Sequence, residues 1–484
     1  MNILKRPMFF AAVVCCIVSV ISLFNIFSAI LLLTISLVGI GIVVIRKNYK
    51  YITVMALILL FAVSLTHQLD IIKSTEKYDN KVVSGDFLVI SQPVAYDDFN
   101  TVTLKSSGNG VLPKNIKVFA FDYDKSNLNP GDIITANLKL SAIDKYDEYR
   151  FYDYGNEVYF KASVKKLTHT NNYNRFYKTA SDIRTYVKDA VSSHFSDDAA
   201  GFLLALTIGD KTLLSDDFLA NIKTTGISHI VVVSGMHLSI IMAAIMFLQD
   251  KLFYNKYICC LVSVLSIILI CAVCGFTMSV IRSGVMFIFA SLAPVFNREN
   301  DSLSSLSAAF TVVLIGAPFS IFNISFQLSV LSTLSIVWIV PWYYQKTVDK
   351  FSVTSKFIKT ILGMASISIF AVIFTLPVIV KTFGYVSLVG IFTNLLVTYP
   401  VMFALVLNIL SLVLNAIPFI SFISDIIFYI TGLFAKFIVF TVNTISKLPI
   451  TVAVLPKTAV WWSIVLILVV IAFMYVYELK KEKV

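Results

Sequence analysis

Residues 224–240, TTGISHIVVVSGMHLSI, set His229, Ser234 and His237 into an otherwise apolar run. Polar groups in such a run cost free energy unless they are hydrogen-bonded or put to use. Four uses are open to them. As metal ligands, the two histidines would stand eight residues apart. On a helix that is about 80° in azimuth and about two turns, wider than the i,i+4 pair of a helical zinc site. No Asp, Glu or Cys lies between them. As nucleophile and base of an intramembrane hydrolase, Ser234 and His237 are i,i+3 neighbours, but no third group or oxyanion hole is marked beside them. As helix–helix glue, they would hydrogen-bond across an interface that Gly226 and Gly235 keep close. Finally, they could form the polar wall of a wet pathway.

Arg282, in SVIRSGVMF, lies a few residues into another apolar run. Acidic residues from 220 to 480 fall mainly between such runs, at Asp250, Glu299, Asp301 and Asp349, with Asp425 at a run's start. Arg282 could snorkel to an interface or face a path for an anionic substrate. Few mid-run carboxylates also argue against proton- or sodium-coupled transport, which uses them as ion ligands. Gln327, Asn394 and Asn408 suit hydrogen bonding between helices. Gln327 and Asn394 are candidates for the same path.

The elements that must position these residues are membrane spans. The 484 residues are 58% hydrophobic and 14% charged, against about 45–50% and about 25% in a soluble chain. About 20 apolar residues cross a bilayer, so the run 8–45 is long enough for two crossings. Lys5 and Arg6 precede it and no small-residue cleavage site closes its first half, so it reads as retained. Spans are expected near 8–23, 26–45, 51–69, 227–248, 257–274, 279–296, 303–319, 324–343, 360–380, 386–414, 421–446 and 458–477, about 12 in all. The run 386–414 is long for one crossing and contains Pro400, which marks it as a candidate broken or re-entrant helix.

Basic clusters orient the chain. Lys5/Arg6, Arg46/Lys47/Lys50, Lys251/Lys256, Arg298, Lys346/Lys350/Lys356/Lys359 and Lys480/Lys481/Lys483 all fall on one side when spans alternate from a cytoplasmic N-terminus. Both termini are then cytoplasmic, and the polar stretch 71–178 is external. The formal charge is +11, yet residues 71–180 hold 15 Lys+Arg against 13 Asp+Glu, only +2. The excess therefore reports topology. The six cysteines sit in apolar runs, where buried inert thiols are expected and no disulfide framework has support.

The polar stretch reads as β. KVVSGDFLVI, NTVTLKS, NIKVFAF, DIITANLKL and EVYFKASVKKL are short β-branched and aromatic runs, parted by Gly- and Asn-rich turns such as SSGNG and NLNPGD. Five strands in this space suit a small OB-like barrel. Tyr146, Tyr149, Phe151, Tyr152 and Tyr154 cluster with Lys145 and Arg150. Arg150, Tyr149 and Tyr152 are candidate contacts to single-stranded nucleic acid, by stacking and phosphate contact. Interleaved Asp144, Asp147, Glu148 and Asp153 fit a core or membrane-belt role as well. Downstream, Ile183, Val187, Ala190, Val191 and Phe195 recur at helical spacing and give an amphipathic surface helix.

FLLALTIGDKTLLSDDFLANIKTTGISHIVVVSGMHLSI resembles the competence domain of the ComEC family of bacterial DNA-uptake channel proteins, through Gly209, Asp210, Lys211, Thr225, Gly226, His229, Ser234, Gly235 and His237. GFTMSVIRSGVMF, ISFQLSVLSTL and TLPVIVKTFGYVSLVGIFTNLLVTYP resemble further segments of that family in the same order. NPGDIITANLKL and DEYRFYDYGNEVYFKASV resemble its external OB-type domain. The resemblance implies a polytopic α-helical membrane protein with a small external all-β OB-like domain. It implies N-terminal spans over 1–70, the β domain over 71–178, amphipathic helices over 179–226 and a channel domain over 227–480. The implied function is passage of single-stranded DNA across the cell (cytoplasmic) membrane in natural transformation. The alternative is a transporter or flippase for another anionic polymer or lipid. Arg282, His229, His237, Ser234, Gln327 and Asn394 would line the path. No catalysis, cofactor or metal is expected. Many members carry a C-terminal metallo-β-lactamase-like domain that this sequence lacks, and no Gly-x-x-x-x-Gly-Lys motif occurs. Besides single-stranded DNA and membrane lipid, a DNA receptor and separate cytoplasmic motor and nuclease proteins are the expected partners.

Overall fold

Local sequence chemistry first builds the barrel. The computed structural model describes residues 7–22, 52–143, 150–253, 255–297, 301–351, 354–449 and 451–481. The expected span 26–45 and the candidate contact Tyr149 lie outside them. All five expected strands are present: β1 (Val82–Val89), β3 (Asn100–Gly110), β4 (Lys117–Asp122), β5 (Asp132–Ala142) and β6 (Val158–Tyr173), with a two-residue β2 (Val94–Ala95) between the first two. In β4 the residues alternate buried and half-buried, which is the period-2 signature of a strand with one face in a core. The strands run β1-β5-β6-β4-β3, and β3 returns to β1, so the sheet closes on itself. Every pairing in this ring is antiparallel except β4 with β6. This is a five-stranded Greek-key barrel of OB type. Phe87, Leu104, Ile134, Leu138 and Phe160 fill its interior. Each such side chain contributes about 1.5–3 kcal/mol by burial.

The chain forms two compact units, Met1–Tyr186 with Asp250–Phe326, and Val187–Gln249 with Gln327–Val484. In the first, the apolar helices α1 (Pro7–Ser22) and α2 (Ile52–Tyr78) lead into the barrel. Polar residues from Asp70 onward do not end α2, because its last turns pack on the barrel. The Tyr159 hydroxyl donates to Gln68 Oε1 at 3.0 Å, and Tyr78 meets Phe160 edge to face. Burial, and then the Glu157 carboxylate, keep the Tyr159 phenol protonated far beyond its usual range. The short helix α3 (Arg150–Gly155) packs on the 3-10 turn Pro318–Phe322 through Phe151–Phe322 and Tyr154–Phe319 ring contacts.

The remaining elements are α4 (Arg175–His194), α5 (Asp197–Ile208), α6 (Asp216–Thr224), α7 (Gly235–Leu252), α8 (Lys256–Val273), α9 (Met278–Leu292), α10 (Ser302–Gly316), α11 (Ile324–Lys350), α12 (Lys356–Phe383), α13 (Gly390–Asn415), α14 (Ser421–Ile445) and α15 (Ala459–Lys481). Among the described residues, seven helices are long and apolar enough to cross a membrane, and Gly235–Gln249, Met278–Leu292 and Ser302–Gly316 are shorter apolar helices. The chain is a polytopic membrane protein with a small all-β domain.

Two expectations need correction. The run 386–414 is not a broken helix: Tyr385–Ser387 pairs as a strand with Val452–Val454, and α13 then runs unbroken through Pro400. Nor does a helix begin at 227. Residues 225–234 are turns, and α7 starts at Gly235. Apolarity alone does not distinguish a buried turn from a helix, and Ile230, Val231 and Val233 are buried within this one.

Candidate functional site

The residues singled out at the start lie in and beside the turn segment 225–234, held within the second unit. Its approach is built from local caps. Gly209 ends α5 in the left-handed region, at φ +74°. Asp210 Oδ1 then accepts from the backbone N–H and hydroxyl of Thr212, fixing the loop. Ser215 caps α6 by accepting from Phe218 N, while Asp198 accepts from Ser215 N and Oγ. At the exit of α6, Thr225 Oγ1 donates to Asn221 O, and Gly226 turns the chain at φ +76°. A Cβ on Gly226 would stand 2.7 Å from Ser387 Cβ and 3.0 Å from Gly390 Cα. Ser387 Oγ donates to Thr224 O at 2.8 Å. The Thr-Gly pair and the segment leading into α13, far apart in sequence, are therefore in contact.

His229 and His237 are not on one helix, which removes the azimuthal argument about them. His229 sits in the turn and is exposed, whereas His237 is fully buried on the first turn of α7. Ser234 is the N-cap. Its backbone N–H donates to His237 Nδ1 at 2.9 Å, and its Oγ lies 3.0 Å from the same nitrogen. This is the return half of a capping box, with a histidine at the third helical position in place of the usual Glu or Gln accepting from the N-cap N–H. Because Nδ1 accepts from a backbone N–H, the ring proton of the neutral imidazole is on Nε2. That nitrogen is buried without a hydrogen-bond partner among the described residues. In a serine hydrolase the second ring nitrogen is oriented by a carboxylate. The Ser234–His237 pair has no such third member there and serves to start α7. Among the described residues, no three His, Cys, Asp or Glu side chains are grouped to hold a metal.

Arg282 is on α9 in the first unit and is 3% exposed. Its Nη2 donates to Ser283 Oγ at 2.9 Å, and Nη1 points to Met286 Sδ at 3.0 Å. The guanidinium is thus enclosed by protein and does not snorkel to an outer surface. Gln327 is half-buried on α11. Asn394, on α13, has a buried Oδ1 without a partner among the described residues. Asn408 joins helices, donating from Nδ2 to Thr207 Oγ1 at 2.8 Å. Of the external candidates, Arg150 lies over the Phe151 ring at 4.5 Å, and Tyr152 is 45% exposed. Phe151 and Tyr154 are used in packing α3, the core role that the sequence left open.

A family model described as Competence protein matches residues 206–480. The chain belongs to this family. The match takes in α6, the 225–234 turn, Arg282, Gln327 and Asn394, and it leaves out the barrel. The chain is also similar to ComE operon protein 3 of Bacillus subtilis (strain 168), 23% identical over 274 residues, which is 56% of this chain and 34% of that relative. It therefore spans about a third of that relative's length. No solved structure matches.

Sequence reasoning missed the capping role of His237, although Ser-Gly-x-His is legible as a variant of the Ser-x-x-Glu start signal. It also missed the contact of Gly226 with Ser387, which no local pattern announces.

Proposed function

We propose that this chain is a membrane channel that passes single-stranded DNA into the cytoplasm during natural transformation. The observation that carries this reading is the Competence family match across 206–480. In this reading Arg282 is the cation of the path, since a guanidinium can hold a phosphate bidentately. His229, His237, Ser234, Gln327 and Asn394 are polar wall groups and not catalysts. The barrel stands at the outer entrance, with Arg150, Tyr149 and Tyr152 as DNA contacts there. Both chain termini face the cytoplasm. A DNA receptor on the outer side and a separate motor and nuclease on the inner side complete the pathway.

The test is uptake of labelled DNA by cells with and without the gene. Uptake should be lost without it and restored by its re-expression. Normal uptake in its absence refutes the reading, as does loss of an anionic lipid or polymer from its place while DNA still enters. Orientation is tested by single cysteines at Asn109 and Lys350, both exposed. Asn109→Cys should react from outside and Lys350→Cys only from inside; the reverse pattern overturns the span order.

A further inference from the structure

We infer that the groove between α13 and α14, with Lys436 at its rim, is a binding site for one chain of an anionic phospholipid of the surrounding membrane. The site is independent of what the channel carries. The strand pair Tyr385–Ser387 with Val452–Val454 lies at the end where α13 begins and α14 closes. Along α14, Ser424, Phe428, Thr431, Ala435, Ile438 and Val442 are buried, while Phe422, Ile426, Tyr429, Leu433 and Phe440 are exposed on the other side. An apolar stripe left open on a span is its lipid face. Lys436 is exposed on that same stripe, three residues after Leu433 and four before Phe440. A groove of about 490 Å³ opens beside it, lined by Pro400, Ile430, Leu433, Phe434 and Phe437. Phe434 stacks on Phe403 of α13 at 5.7 Å, which fixes one wall. Every lining residue is apolar, so the groove suits a hydrocarbon chain and offers nothing to a polar ligand.

The lysine decides what kind of lipid. Lys436 and Asp425 are the only charged residues of α13 and α14. Asp425 is bonded to His194 at 3.0 Å and stands eleven residues from Lys436, about 16 Å along the helix. Among the described residues, Lys436 has neither an ion pair nor a hydrogen bond. It lies nine residues before Ile445. With α14 about 38 Å long and centred on a hydrocarbon core of about 30 Å, its Cα is about 10 Å inside that core. This is further than its own side chain reaches. A charge at such a depth is costly unless it is paired, and local thinning of the bilayer lets a headgroup come down to it. The anion must therefore come from outside the chain. A second copy packed on this stripe about an axis along the membrane normal would set Lys436 against Lys436, like charge on like. A phospholipid fits instead. The groove starts at the level of Lys436 and Phe437 and runs to Ile430, away from the nearer helix end, so a phosphate at the lysine sends its chain toward the midplane along the groove.

The test titrates phosphatidylglycerol, and phosphatidylcholine as the neutral control, onto the full chain in a mild detergent and counts bound lipids by native mass spectrometry. Lys436→Gln should need about 10- to 150-fold more phosphatidylglycerol to fill one site, the range of one hydrogen bond to a charged group. Phosphatidylcholine binding should not change. Lys436→Arg keeps the cation and should keep the site. Ile430→Trp fills the groove with the charge intact, and it should remove the same single phosphatidylglycerol. Size-exclusion of each variant confirms that folded protein is compared, and Ile430→Trp decides alone if Lys436→Gln does not elute as the unaltered chain does. Phosphatidylglycerol binding unchanged in Lys436→Gln overturns the site, as does binding unchanged in Ile430→Trp. A membrane protein that co-purifies with the unaltered chain and is lost from Lys436→Gln, with lipid binding intact, would assign the lysine to a partner helix and also overturn the proposal.

Discussion

Replacing Gly226 by Ala tests how the turn before α7 is held. Two separate penalties can be read from its surroundings. A residue with a Cβ at φ +76° is in the left-handed region, at a cost of about 1–2 kcal/mol. The new methyl would also lie 2.7 Å from Ser387 Cβ, 2.9 Å from Ser387 Oγ and 3.0 Å from Gly390 Cα. Overpacking of that kind costs about 1–3 kcal/mol. Gly226→Ala should therefore destabilise by about 2–5 kcal/mol in total. Ser387→Gly removes two of the three contacts and the hydrogen bond to Thr224 O, itself worth about 0.5–1.5 kcal/mol. In that background the cost of Gly226→Ala should fall toward the conformational part alone, with a coupling of about 1–3 kcal/mol between the two sites. Thermal unfolding of the four proteins in one detergent, followed by size-exclusion of the folded fraction, measures the cycle. Equal costs of Gly226→Ala in both backgrounds would show that the turn does not rest on Ser387.

Three further outcomes are expected. Ser234→Ala keeps the backbone N–H to His237 Nδ1, so membrane levels and uptake should stay near normal. His237→Ala should cost about 0.5–2 kcal/mol as a lost cap, with His237→Gln milder because it still accepts. Uptake abolished by Ser234→Ala at normal protein level would mean a nucleophile after all. Arg282→Ala should abolish or severely reduce transformation while the protein remains in the membrane, and Arg282→Lys should keep part of it, measured on the same cells by immunoblot and colony count. Normal transformation in Arg282→Ala removes the anion path. Burial, and then the Lys117 charge, hold the Lys105 ammonium below its ordinary range. The folded state then holds this proton less tightly than the unfolded chain, so stability from Lys105 should grow as pH rises from the lowered range to the ordinary lysine range. An equally steep rise of melting temperature in Lys105→Gln would assign it to another group.

Strands and helices were legible because each carries its own period. KVFAFDY alternates, so β4 follows from residues 117–123 alone, although its neighbours in the ring are known only from its pairing with β3 and β6. The helices of the second unit announce themselves by length and apolarity. What was not legible depends on partners distant in the chain. Ile227–Val233 is as apolar as a helix, and only its meeting with residues around 387 explains a turn there. Arg282 stood out as a charge in an apolar run, but its enclosure beside Ser283 and Met286 depends on how α9 packs.

Closure of the barrel depends on its last strand. β6 joins β4 to β5, and among the described residues no other strand bridges those two. Until residues 158–173 have arrived, the earlier strands form an open ribbon with two bare edges, a template for pairing with other chains. In the proposed orientation these residues cross the membrane in sequence order. The barrel then has no kinetic route to completion from its N-terminal part, and the wait ends only when the final strand is delivered. Slow export of this stretch would therefore be an aggregation hazard even though the finished ring has no free edge between its five strands.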